Sequence, residues 1–157
     1  MRKGGKVKKI SALIGILVFA LGLNAALAAE KGTKEEAVAM VKKAVAFLQT
    51  NGREKALAEF NKPKGQFVDR DLYVFVGDMQ GRCLAHGTMP EFVGKDMMEV
   101  QAPAGYFITK ERLKLLQKNN SAWQTYKYLN PVTKKIEDKS TYLERVGDLY
   151  IGVGVYQ

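Results

Sequence analysis

Residues 71–86 read Asp-Leu-Tyr-Val-Phe-Val-Gly-Asp-Met-Gln-Gly-Arg-Cys-Leu-Ala-His. Leu72, Val74 and Val76 alternate with Tyr73 and Phe75, the period of two that marks a strand partly covered on both faces. Asp78 favours the first position of a turn because its carboxylate bonds the backbone ahead, and Gly81 can take a positive φ at the turn's end. The chain then reverses into a second strand, Arg82 to His86, which ends on the only histidine of the protein. A hairpin that delivers one imidazole to a sheet face is the centre from which the remaining chain can be placed.

Upstream, Thr33 with Glu36 three residues later forms a capping box. Ala37, Met40, Val41, Ala44, Phe47 and Leu48 then recur at three and four, one apolar stripe that runs until Gly52 ends the helix. A shorter helix from Glu54 to Phe60 turns Ala56, Leu57 and Phe60 inward, and Asn61-Lys62-Pro63-Lys64-Gly65 breaks it. Downstream, periodicity vanishes from Gly87 to Gly105, with at most a helical turn around Glu91-Phe92-Val93. Loops this long inside a compact domain are uncommon and often functional.

A helix from Thr109 to Lys118 follows, with Leu113, Leu115 and Leu116 as its buried side. Three strands close the chain: Trp123 to Leu129, Glu137 to Val146, and Leu149 to Tyr156, the last two joined by Gly147-Asp148. Gly152 and Gly154 in the final strand leave room for something to approach the sheet closely. This order predicts an α+β domain with an antiparallel sheet of about five strands.

At 157 residues the chain holds one domain. Its formal charge of +9 would suggest a nucleic-acid or membrane partner, but Arg2, Lys3, Lys6, Lys8 and Lys9 supply five of the 25 basic residues before any acid occurs. Without them 20 basic residues face 16 acidic ones, a mildly basic surface that gives no reason to expect nucleic acid. The basic start precedes an apolar run, Ile10 to Leu23, and the small residues Ala26 and Ala28, the pattern of a secretory signal peptide spanning 1–28 and cleaved after Ala28. The alternative is an uncleaved anchor, since the run approaches the ~20 residues needed to cross a bilayer. The expected mature domain is 29–157, periplasmic or secreted. A single cysteine excludes an internal disulfide, so the fold stands on its core.

Catalytic constellations are missing. One histidine and one cysteine do not make a zinc site, and there is no phosphate loop, nucleophile elbow or haem-attachment motif. Cys83 and His86 lie three apart on a strand, which turns them to opposite faces and speaks against a nucleophile and base. His86 itself stands between a satisfied core residue and a functional one. Tyr126 and Tyr128 share one face of the third strand, Lys139 begins the fourth, and Tyr142 and Tyr156 lie on the same sheet. Phenol-lined walls with one histidine and one lysine suit a small anion, although tyrosines at strand spacing are also ordinary sheet residues.

From about Thr33 to Tyr156 the chain resembles the Cache family, in particular the second type of single Cache domain, an extracytoplasmic sensor module related in shape to PAS domains. The elements that carry the likeness are Asp71-Leu-Tyr-Val-Phe-Val, the Asp78-Met-Gln-Gly turn, Leu84-Ala-His, and Pro90 with Gly94-Lys95. It continues through Trp123-Gln-Thr-Tyr126, Asn130-Pro131, Lys139-Ser-Thr-Tyr142 and Ile151-Gly-Val-Gly-Val-Tyr156, and their order and spacing together are specific.

The resemblance implies a long amino-terminal helix packed on a central antiparallel sheet, with a pocket between the sheet and the overlying loop and helix that takes small organic acids or similar metabolites without catalysis or cofactor. It makes His86, Trp123, Tyr126, Lys139 and Tyr142 candidate contacts, joined by Tyr128 and by Tyr73 or Phe75 as walls. Trp123 and Tyr126 point oppositely in a regular strand, so one of the two is expected in the core. Lys139 would supply positive charge; if His86 helped in its charged form, affinity would weaken as pH rises through about 6.5. Relatives belong to chemoreceptors and sensor kinases, and the expected partner is a membrane receptor or sensor kinase. The alternative is an interaction module whose pocket is filled by its own side chains. One departure is the stretch Gln101-Ala-Pro-Ala-Gly105, where family members commonly carry an Asp near a Gly. Another is the end of the chain at Gln157, which reads as a free-standing sensor domain.

Overall fold

The computed structural model describes residues 31–157; the expected signal peptide lies outside them. Helix α1 spans Lys34–Asn51. Thr33 Oγ1 accepts from the Glu36 amide at 3.2 Å, and the Glu36 carboxylate accepts from the Thr33 amide at 2.8 Å, so the capping box closes as expected. Gly52, at φ 80°, ends the helix and leads directly into α2, Arg53–Phe60. Val45, off the expected stripe, is buried, while Met40 and Phe47 are only partly so.

The strands are β1 (Val68–Asp69), β2 (Leu72–Asp78), β3 (Cys83–His86), β4 (Gln101–Ala102), β5 (Tyr106–Phe107), β6 (Ser121–Leu129), β7 (Ile136–Val146) and β8 (Leu149–Tyr156). Six of them form one antiparallel sheet in the order β1-β2-β8-β7-β6, with β3 also paired to β2. Strand β1 pairs with the start of β2 and β3 with its second half. The turn between β2 and β3 is as read: Asp78 Oδ1 accepts from the Gln80 and Arg82 amides at 3.0 and 2.8 Å, and Gly81 takes φ 92°. Helix α3, Ile108–Lys118, follows the small β4–β5 hairpin. That hairpin was not expected from the aperiodic loop sequence.

Alternation along the strands gives the sheet two unlike faces. On one, Val74, Val76, Ile151, Val153 and Val155 meet Val41, Ala44 and Leu48 of α1 in the main core. A second aromatic knot of Phe47, Phe60 and Phe67, with ring centroids 5.4 and 4.7 Å apart, locks both helices to the start of the sheet. The other face carries Tyr73, Phe75, Tyr150 and Leu143 beneath α3, whose Leu113 and Leu116 are buried and whose Leu115 is only partly covered.

Candidate functional site

Strand register builds the site. Tyr126 lies opposite Lys139 and Lys139 opposite Tyr156, which puts all three on the α3 face. Across β2 and β3, Phe75 is opposite His86, on that same face. The glycines of β8 serve this arrangement. A Cβ on Gly154 would collide with Lys139 Cε and stand 2.8 Å from Thr141 Oγ1; one on Gly152 would collide with Phe75 and stand 2.8 Å from Leu143 Cδ2. What approaches the sheet at these positions is the protein's own long side chains, laid flat across a trough.

Between this trough, α3 and the 87–105 loop lies a cavity of about 50 Å³, lined by Tyr73, Phe75, Cys83, His86, Arg112, Tyr126, Tyr128, Lys139 and Tyr150. Phe92, Met97 and Val100 close it from the loop. The loop is held down by backbone bonds on either side of the β2–β3 turn, from Cys83 to Lys95 O at 2.9 Å, Gly94 to Cys83 O at 2.8 Å and Met97 to Gly81 O at 2.9 Å.

Lys139 is 1% exposed. Its Nζ is hydrogen-bonded to Tyr73 OH at 2.6 Å and Tyr156 OH at 3.1 Å, and Tyr156 OH in turn donates to Leu129 O at 2.8 Å. The faces of Tyr73, Tyr156 and Tyr128 surround the nitrogen at 4.3, 4.7 and 5.2 Å. Arg112 of α3, 6% exposed, is the second buried cation. Its Nε donates to Gln124 Oε1 at 3.1 Å, its Nη2 to Tyr126 OH at 3.2 Å, and its guanidinium lies 4.6 Å from the Phe75 ring centre. Among the described residues neither cation belongs to any of the ion pairs. Burial, then the field of Arg112, holds the Lys139 amine well below its ordinary range.

His86 caps the loop that leaves β3. Its Nδ1 accepts from the Met89 amide at 3.0 Å and the Thr88 amide at 3.3 Å, which places the neutral ring's proton on Nε2. That nitrogen has no hydrogen-bond partner among the described residues. Burial, with Lys139 and Arg112 adding to it, pushes the imidazole down to about 3. Burial and the neighbouring Lys139 and Arg112 thus leave the imidazole neutral, which does not favour the conditional reading of a charged histidine titrating near 6.5.

The sequence expectations divide by face. Tyr73, Phe75, His86, Tyr126, Tyr128 and Lys139 line the cavity. Trp123 and Tyr142 do not: they are paired with each other on the α1 face, ring centroids 5.3 Å apart, with Lys34 over the indole at 5.4 Å. Trp123 and Tyr126 thus point oppositely, but Trp123 is half-exposed rather than core.

Cys83 and His86 need the opposite correction, since both line the cavity. Val76 pairs with Ala85 but Gly77 with Cys83, so Leu84 is an extra residue, and this bulge rotates Cys83 onto the histidine's face. Burial pushes its thiol up to about 11. Arg112 was not expected at all. Its signal was spacing: at i+4 from Ile108 and i−4 from Leu116, it is a charge set on an apolar helix stripe.

Residues 9–157 match the model of the Single Cache domain 2 family, and the chain belongs to that family. No curated protein matches the sequence. Among solved structures, a methyl-accepting chemotaxis protein from Vibrio parahaemolyticus RIMD 2210633 is 23% identical with a TM-score of 0.66, the match covering 78% of this chain and 87% of that one. A periplasmic sensor domain of a chemotaxis protein is 21% identical at a TM-score of 0.62, covering 78% and 88%. A Cache chemosensory domain solved for the basis of its carboxylic acid recognition is 18% identical at 0.62, covering 78% and 86%. These likenesses establish the PAS-like α+β fold.

Proposed function

We propose that this domain is an extracytoplasmic sensor that takes a small organic carboxylate into the cavity and reports its occupancy to a membrane receptor or sensor kinase. The observation that carries this reading is the pair of buried cations, Arg112 and Lys139, with no carboxylate partner of their own. An unpaired buried charge is costly, and a bound anion is the cheapest way to relieve it. The carboxylate would lie between guanidinium and ammonium, with His86 Nε2–H as a further donor and Phe92, Met97 and Val100 against the carbon chain. At about 50 Å³ the cavity suits about three to five water-sized bodies, hence an acid of about four to six non-hydrogen atoms. The carboxylic acid recognition named for one structural neighbour is in keeping with this reading.

Two further parts of the reading concern place and chemistry. Residues 1–28 act as an export signal cleaved after Ala28, which delivers the domain to the periplasm or beyond; among the described residues no helix is long and apolar enough to cross a membrane. The site binds rather than catalyses. Although Cys83 and His86 share the cavity, a thiol held up near 11 and an imidazole held down near 3 make neither a nucleophile nor a base at neutral pH.

Thermal unfolding with acetate, propionate, pyruvate and lactate tests the reading. A ligand at a hundredfold excess over its Kd adds about 2.7 kcal/mol, a rise in Tm of roughly 5–15 °C. No rise with any of these acids, in a folded domain, would leave the second reading, an interaction module that docks to a membrane receptor with its pocket filled from within. The small cavity and the self-filled recesses at Gly152 and Gly154 favour that alternative.

A further inference from the structure

Lys139 and Arg112 face one cavity walled largely by aromatic rings, and without a ligand it must hold two basic groups with no acid at ion-pair distance from either among the described residues. Arginine does not give up its proton in a protein, whereas a buried lysine does so readily. The lysine is therefore the group that yields. We propose, on the basis of the carboxylate reading above, that the cavity takes up its anion together with a proton, Lys139 being neutral when the cavity is empty and an ammonium when it is filled. The sensor then responds to the product of anion and acidity rather than to the anion alone.

The groups around Lys139 are suited to both states. When it is neutral, the Tyr73 hydroxyl 2.6 Å away can donate to the Nζ lone pair, one of the two Nζ–H groups donates to Tyr156 OH at 3.1 Å, and Tyr156 OH donates to Leu129 O at 2.8 Å. When it is charged, Nζ donates to both phenols, and the Tyr73 proton must turn toward Tyr156 OH, 3.4 Å away, or toward the ligand. An anion in the cavity is an acceptor for that displaced proton. The proton gained by Nζ comes from solvent, and no covalent bond to the ligand forms.

The titratable and charged neighbours from each packed element act in opposite directions. Arg112 of α3 disfavours the ammonium, as does burial; Asp71, at the start of β2, favours it. One oxygen of the Asp71 carboxylate is engaged elsewhere, Oδ1 accepting from the Gly32 amide at 2.7 Å, while Oδ2 is buried without a hydrogen-bond partner among the described residues, and Asp71 forms no ion pair with Lys139. His86 of β3 is neutral, and the phenols of Tyr73, Tyr128, Tyr150 and Tyr156 and the thiol of Cys83 stay protonated. Their rings favour the ammonium but carry no charge to neutralise it. A ligand brings one into the cavity itself.

The test is calorimetric titration of the folded domain with acetate and with pyruvate at pH 8, in phosphate, HEPES and Tris, whose ionisation enthalpies differ. Proton uptake makes the observed heat depend on the buffer, with a slope that reaches about one proton per ligand, and weakens binding by up to about tenfold per pH unit as pH rises. Equal heats in all three buffers, with binding present, overturn the proposal and leave the carboxylate reading standing. No heat with either acid at pH 8, nor on repeating the titration at pH 6 where proton-coupled binding is strengthened, removes the carboxylate reading and this one with it. Lysine-selective NMR supplies the second measurement. In the empty domain one lysine should show the neutral-amine chemical shift at pH 8, move to the ammonium position when acetate is added, and be missing from the spectrum of Lys139→Met. If every lysine of the empty domain is already charged at pH 8, the proposal fails whatever the variant does.

Discussion

On the α1 side of the sheet, Val74, Ile151 and Val153 meet Val41, Ala44 and Leu48 in one apolar cluster. On the other side the very next residues of the same strands are Tyr73, Phe75, Tyr150, Gly152 and Gly154, and they gather an arginine, a lysine and a histidine around a void. Both faces are buried, yet they obey different packing rules. Branched side chains fill the first from their own strand. The second is opened by glycines, so that long side chains from neighbouring strands lie flat and bring their polar ends together. One face stores stability and the other stores an unmet charge.

Four measurements would break or sharpen this contrast. Arg112→Met should weaken carboxylate binding the most, by at least about 30-fold, since truncating one member of a buried charge pair costs 2–5 kcal/mol or more. Calorimetry reads this, and unchanged affinity would exclude Arg112 from the anion's contacts. Ile151→Ala, on the opposite face and 0% exposed, should lower unfolding free energy by about 2–5 kcal/mol in urea while affinity stays within about threefold. A large affinity loss there would show that the faces are not independent.

Gly154→Ala tests the trough itself. The added methyl strikes Lys139 Cε, so it should cost about 1–3 kcal/mol in stability and weaken binding as well, because the ammonium is displaced from Tyr73 and Tyr156. The smallest expected effect belongs to His86. Its pKa near 3 lies below its unfolded value near 6.5, so its protonation disfavours the fold; that stability is present above about 6.5 and lost as pH falls toward 3. The single histidine's ring signals should not move between pH 5 and 8, and a midpoint near 6.5 would show an exposed, charged imidazole instead.

Much of this architecture was legible in the chain. Thr33 and Glu36, Gly52, the Asp78–Gly81 turn and Gly147-Asp148 each act through bonds to near neighbours in sequence, and each stands where its local chemistry put it. The site was only half legible. Tyr73, Phe75, His86, Tyr126, Tyr128 and Lys139 share a face by simple alternation, so their positions on strands were enough to gather them. Alternation also placed Trp123 and Tyr142 together, but which face the pocket would take was not written in their spacing.

The sequence by itself determined the helix caps, the hairpins, the period-two strands and the family, because these depend on residues a few positions apart. The tertiary structure alone decided three things. A bulge at Leu84, created by pairing against β2, brought Cys83 onto the face of His86. The fold of α3 over the sheet carried Arg112 to within 4.6 Å of the Phe75 ring, at a separation of 37 positions in the chain. And burial beside Arg112 made a lysine and a histidine weak bases, since a side chain's charge state depends on what surrounds it as well as on what it is.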